Sequence, residues 1–185
     1  MSIPGFHSPA AGFDLPMEVL AGCHERMRRS LALLGRLAEA VADGRRDEAV
    51  RSAAADVQRY FDRAAPAHHD DEERWVFPLV LARSGRAGAR DAVQLLAWQH
   101  LEMGRRWARL REGLAGLQAD EADPFGPDMQ ALARDFISLY ERHAELEDRL
   151  VFPEATALAT PEELQRMGAD MAQRRGVHPP ATALP

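Results

Sequence analysis

An eleven-residue pattern occurs twice in this chain, 75 positions apart. His68-His69-Asp70-Asp71-Glu72-Glu73-Arg74-Trp75-Val76-Phe77-Pro78 aligns with His143-Ala144-Glu145-Leu146-Glu147-Asp148-Arg149-Leu150-Val151-Phe152-Pro153, and both fit H-x-x-x-E-[ED]-R-x-V-F-P. Upstream, His24 and His100 stand 44 and 43 residues before the two pattern histidines, each followed three positions later by a methionine. Each half of the chain is therefore one segment with a histidine followed by one with His-x-x-x-Glu. On a helix, residues i and i+4 share a face one turn apart. His68 and Glu72 can then address one point, and so can His143 and Glu147. In a bundle those faces turn inward and meet His24 and His100, which brings four imidazoles and two carboxylates into one core.

The rest of the sequence supports helices. Of its 185 residues 46% are hydrophobic but only 6% aromatic, and 33 are alanine, a composition that favours helix over sheet. The length suits one well-buried domain. Apolar residues recur with helical spacing from Leu15 to Val41, with Asp14 as the expected N-cap and Gly44 as the stop. A second helix is expected from Asp47, broken or kinked at Pro66 and resuming at His68 through Arg83. A third spans about 89–119, a fourth about 129–159. Thr160-Pro161-Glu162-Glu163 carries capping-box spacing for a short fifth. The expected organisation is an N-terminal arm (1–14), an all-α, up-down-up-down antiparallel four-helix bundle (15–159), an accessory helix (160–175) and a mobile tail (176–185).

Without a metal the converging core is costly. Two buried carboxylates with no basic residue on their stripe repel, and one has to take up a proton. The relief from protonation is expected in a narrow window near pH 5–6 in the empty protein, because the histidines charge below about 6.5. A cation removes the repulsion. Imidazole plus carboxylate suits iron, manganese or zinc, and six ligands exceed what one tetrahedral zinc takes. Two metals bridged by Glu72 and Glu147, each with two histidines, use the whole set and leave open positions. The ferritin-like Glu-x-x-His motif is absent, and Arg28 stands where the metalloprotease motif His-Glu-x-x-His needs its second histidine.

Over residues 15–155 the pattern H…HxxxE…H…HxxxE, with an acid after each glutamate and a following Phe-Pro, resembles the hemerythrin-like (HHE cation-binding) family. The resemblance implies a four-helix bundle around a carboxylate-bridged, non-heme centre of two iron ions. Its ligands would be His24, His68, Glu72, His100, His143 and Glu147. The HxxxG that often follows the third family histidine is also present, as His100 to Gly104. Oxygen-carrying hemerythrins use five histidines, one Glu and one Asp. The four histidines and two Glu read here are more similar to bacterial proteins of iron-centre repair and nitric-oxide response, which usually carry an added N-terminal domain with a Cys motif.

His69 and Glu73 form a second, overlapping His-x-x-x-Glu frame. Alignment through Phe-Pro selects His68 with Glu72 and leaves His69 on the surface or behind the ligands. Asp70, Asp71, Glu73 and Glu145 read as a solvated outer face, with Glu73 an alternate or supporting residue. Tyr140, one turn before His143, reads as a core tyrosine able to donate toward an open site. Cys23, Met27, Met103 and Trp107 read as packing, and His7 and His178 carry no signal.

A net charge of −6 argues against nucleic acid. The single cysteine rules out an intramolecular disulfide framework. No apolar run approaches the roughly 20 residues of a membrane span, and the start of the chain lacks signal-peptide character, so a cytoplasmic location is expected. The resulting expectation is a protein that binds, senses or detoxifies O2 or NO, more a binding protein than a turnover enzyme. The alternatives are an iron-handling or stress-response role, or a redox enzyme acting on peroxide or NO. It is expected as a monomer or homodimer, and the sequence names no protein partner.

Overall fold

A computed structural model describes residues 12–119, 121 and 124–177. His7, His178 and most of the expected arm and tail lie outside the described residues. Those described are helical, with no strand among them.

Helix α1 (Pro16–Ala42) buries Leu20, Cys23, His24, Met27, Leu31, Leu34 and Leu37 on one stripe. Asp14 does not cap it: Leu15 is the cap residue without a side-chain bond, and Pro16 opens the first turn, where its missing N–H costs nothing. Gly44 ends the segment at φ +80°, a left-handed conformation that glycine adopts freely. Helix α2 (48–83) starts at Asp47, whose carboxylate accepts the Val50 N–H. Helix α3 is Ala87–Gln118, α4 covers 127–158, and α5 is Pro161–Arg174 with its capping box formed by Thr160 and Glu163.

The expected break at Pro66 does not occur. Each proline inside a helix follows a single turn of π-helix: Tyr60–Ala64 before Pro66, Glu72–Val76 before Pro78, and Glu147–Val151 before Pro153. The residue preceding each proline sends its N–H back five positions, from Ala65 to Tyr60, Phe77 to Glu72 and Phe152 to Glu147. Widening the turn makes room for the ring and absorbs the lost donor, so the rod continues. Two of the three wide turns begin on the glutamates of the repeat.

Helix α1 packs on α2 and α4, and α3 packs on the same two, which closes a ring of four rods. Along α3 the partners recede in sequence as α3 advances. His100 meets Glu73 and His143, Arg111 meets Asp62, and Gln118 meets Gln58. The core is split in two. One apolar cluster holds Met27, Leu31, Phe61, Met103, Leu110, Phe136 and Ala144; the other holds Leu20, Val76, Phe77, Leu96, Val151, Phe152 and Met171. The polar residues of the repeat occupy the layer between them. Cys23, Met27 and Met103 are packing residues as expected, and Trp107 packs while its indole donates to Asp62 at 2.9 Å.

Helix α5 lies beside α1 and α2 at the end that carries the repeat. Phe13 crosses it at Gly168, where a Cβ would come within 1.8 Å of the Phe13 carbonyl oxygen. Asp71, expected on a solvated face, is instead fully buried and paired with Arg174 and Arg175 at the end of α5. Its side chain points away from the bundle axis, and α5 covers it. Breaking a buried pair costs about 3–5 kcal/mol, and the partial hydration of both arginines lowers that. Asp71→Ala is expected to cost about 2–3 kcal/mol, read as a lower urea midpoint at unchanged slope.

Candidate metal centre

Two clusters of ligand atoms sit side by side in the polar layer. His24, His68, Glu72 and Glu147 form one; His69, Glu72, His100 and His143 form the other, each with its ligand atoms within 4.8 Å of one another. Both carboxylates face both clusters. Glu72 places Oε1 3.1 Å from His68 Nε2 and Oε2 3.5 Å from His100 Nε2. Glu147 places Oε2 3.2 Å from His24 Nε2 and Oε1 3.1 Å from His143 Nε2. Both glutamates are fully buried, and none of their four oxygens has a hydrogen-bond partner. His24 Nε2, His68 Nε2 and His69 Nε2 are also buried without one. Buried polar atoms are normally satisfied, so this many convergent orphans of ligand type fit metal ions.

The far nitrogens are held from behind. His24 Nδ1 lies 2.8 Å from Asp148, His100 Nδ1 2.7 Å from Glu73, and His143 Nδ1 2.9 Å from Gln99. A carboxylate or amide oxygen there keeps the proton on Nδ1 and frees Nε2 as donor to a metal. Glu73 and Asp148 are the equivalent acids of the two repeats, each reaching the lone histidine of the neighbouring helix. Glu73 is thus a supporting residue and not part of a rotated frame.

Electrostatics follow from burial. Desolvation, then the charge on Glu147, holds the Glu72 carboxyl well above the usual carboxylate range. Burial opposes the charge on Glu147 too, but His143 and His24 keep it well below that range. Burial, then the charge of His24, holds His68 well below the ordinary imidazole value; burial, then His100, does the same to His69. His100 is pushed down to about 3 by burial and then by His143. For His24 burial is outweighed by Glu147 and Asp148, and its value rises.

The structure brings His24, His68, Glu72, His100, His143 and Glu147 together, and adds His69. That residue is not on the surface: its ring stacks on His100 at 3.9 Å between centroids, and its Nε2 joins the second cluster. Alignment of the repeats hides this, because Ala144 occupies the matching place. Adjacent residues on a helix point about 100° apart, enough for His68 and His69 to serve neighbouring clusters. Gln99 was not foreseen; its signal was its place immediately before His100. Tyr140 is buried and lines, with Tyr60, His24, His68, His69 and His143, a cavity of about 10 Å³.

A family model, the hemerythrin HHE cation binding domain, matches residues 15–155. The chain belongs to that family. An uncharacterized protein of Haemophilus influenzae is 30% identical over 167 residues, covering 90% of this chain and 94% of that one. For a hemerythrin HHE domain, the five imidazoles gathered here match the histidine number of the oxygen carriers. Glutamate fills both carboxylate places.

The histidine shifts set how the metal-free protein responds to pH. His68, His69 and His100 have folded values below their unfolded value of about 6.5, so unfolding takes up protons below it. Their stabilising contribution is complete above that value and is lost as pH falls. Glu72, with a raised value, acts in the opposite sense: its penalty grows as pH rises from about 4.3. Toward acid these three imidazoles lose stability, while Glu72 and His24, whose values are raised, gain it. The net expectation is a loss toward pH 5, in place of the relief expected from the two carboxylates alone. Thermal melts of metal-free protein should peak near neutral pH and fall toward pH 5. Glu72→Gln should flatten the alkaline limb and leave the acid limb. A melting temperature that climbs from pH 6.5 to 5 would contradict the arrangement.

Proposed function

We propose that this chain is a cytoplasmic non-heme di-iron protein of hemerythrin type, which binds, senses or detoxifies a small ligand such as O2 or NO. The reading includes an antiparallel up-down-up-down four-helix bundle, supported by the receding residue pairs along α3. One observation carries it: each of two buried carboxylates turns one oxygen to each of two imidazole clusters. His24 and His68 would hold one iron, His69, His100 and His143 the other, and Glu72 and Glu147 would bridge them. Manganese or zinc could take the same places. Iron bound there supplies a redox-active Lewis acid with a position for a diatomic ligand.

The protein's own groups define that position. Asp148, Glu73 and Gln99 fix the ring tautomers. Phe77 and Phe152 lie against His100 and His24, with ring centroids 5.4 and 5.2 Å apart, and shut water out from one side. Met27 and Ala65 wall the small cavity on the other. Its size admits about one water-sized molecule, which favours a diatomic over a larger substrate. Burial, and then Tyr60, raises the Tyr140 phenol, so its hydroxyl stays protonated and available to donate.

Protein loaded with iron should carry two ions per chain by elemental analysis, and one or none would remove the dinuclear reading. His69→Ala should lose metal about as severely as His68→Ala, whereas Glu73→Gln and Asp148→Asn should each weaken it roughly 10–100-fold, measured by chelator competition. Reduced protein should give a reversible absorption band on adding O2 or NO. Tyr140→Phe should keep its iron yet shorten the adduct lifetime roughly fivefold, the worth of about 1 kcal/mol for one hydrogen bond. No spectral response to either gas would leave the metal a structural role.

A further inference from the structure

The outer face of α3 carries an apolar stripe that no described residue covers. Leu95, Trp98 and Leu101 are 46%, 54% and 65% exposed, three of the six large exposed hydrophobics among the described residues and all within two turns. Scattered exposed apolar residues need no account, but a contiguous patch marks an interaction surface. The spacing about Trp98 is symmetric. Leucines stand three residues before and after it, and Asp91 and Arg105 stand seven residues before and after. Offsets of three and seven fall on one helix face, the seam of helix pairing. The charges at the two ends are opposite, and both residues are exposed. Arg105 has only Glu102 at 3.8 Å, and Asp91 has no ion pair among the described residues.

We propose that this face is the interface of a homodimer, α3 lying antiparallel on α3 of a second copy with the two-fold axis at Trp98. In that register each Leu95 meets the second copy's Leu101, the tryptophans meet each other, and each Asp91 meets the second copy's Arg105. A parallel pairing sets Asp91 against Asp91 and Arg105 against Arg105, so charge selects the antiparallel one. A self-complementary patch is what a two-fold interface requires, and a central tryptophan ringed by polar residues is the usual energetic anchor. The proposal stands apart from the metal reading, since none of these residues is a ligand.

Sedimentation and light scattering of the full-length, metal-loaded protein test it. The expected result is a dimer that Trp98→Ala and Leu101→Glu convert to monomer, with helicity and metal content unchanged. Asp91→Arg and Arg105→Asp alone should each weaken the dimer about tenfold, and the two together should restore it. A monomeric protein, as expected if a terminal segment or another partner covers the stripe, overturns the proposal. So does a dimer indifferent to Trp98→Ala, or charge reversals that the double swap does not rescue.

Discussion

Two carboxylates lie beside each other at the centre of this protein, fully buried and, among the described residues, without an arginine to neutralise them. The 23 basic residues are all arginine, and among the described residues none pairs with Glu72 or Glu147. Desolvating one such charge costs several kcal/mol and desolvating two adds their repulsion. The rest of the layer answers that cost with imidazoles. Five rings surround the pair, three of them kept neutral by burial, which makes them poor counter-charges and good metal donors. An apolar cluster on either side keeps water from doing the same work. His143 and His24 offset the charge on Glu147, and Glu72 is left to take up a proton or to meet a cation.

The backbone serves this layer through the wide turns. A regular helix running into Pro78 or Pro153 would lose a hydrogen bond and kink, moving the preceding turn. Here the slack is taken up over Glu72–Val76 and Glu147–Val151, so the two buried glutamates sit where regular helix gives way to the π turn. His68 and Glu72 remain one regular turn apart while Phe77 still packs against His100. The shared V-F-P of the repeat is therefore part of the site, since it sets the turn that begins at each glutamate.

Much of this was legible in the sequence. The i, i+4 pairs and the lone histidines identify six of the convergent residues, because helical periodicity fixes which faces turn inward. The Asp47 cap and the Thr160 capping box were readable from local chemistry. Three things were not. Pro66 looks like a break because a single sequence does not reveal whether a widened turn can absorb it. Asp71 looks solvated because its partners, Arg174 and Arg175, come from a helix about 100 residues later, and only tertiary packing buries it. His69 looks peripheral because its counterpart in the second repeat, Ala144, has no ligand atom.

That last failure says most about the site. Position 69 is histidine in the first repeat and its counterpart, Ala144, is a buried alanine in the second. A symmetric site would carry an imidazole at both and give each cluster three. Instead one cluster has three imidazoles and the other has two, although the two glutamates they share and the acids behind them are matched. Histidines of both clusters, His24 and His68 of the poorer and His69 and His143 of the richer, line the small cavity together with Met27, Ala65 and the two tyrosines. Symmetry of the repeat thus builds two clusters that share their carboxylates, and its breach at one residue leaves them with unequal sets of donors. A histidine in place of Ala144 has no space to enter, because that position is fully buried in the core cluster with Phe136 and Tyr140. The asymmetry is consequently built into the packing: one cluster gathers three imidazoles and the other two.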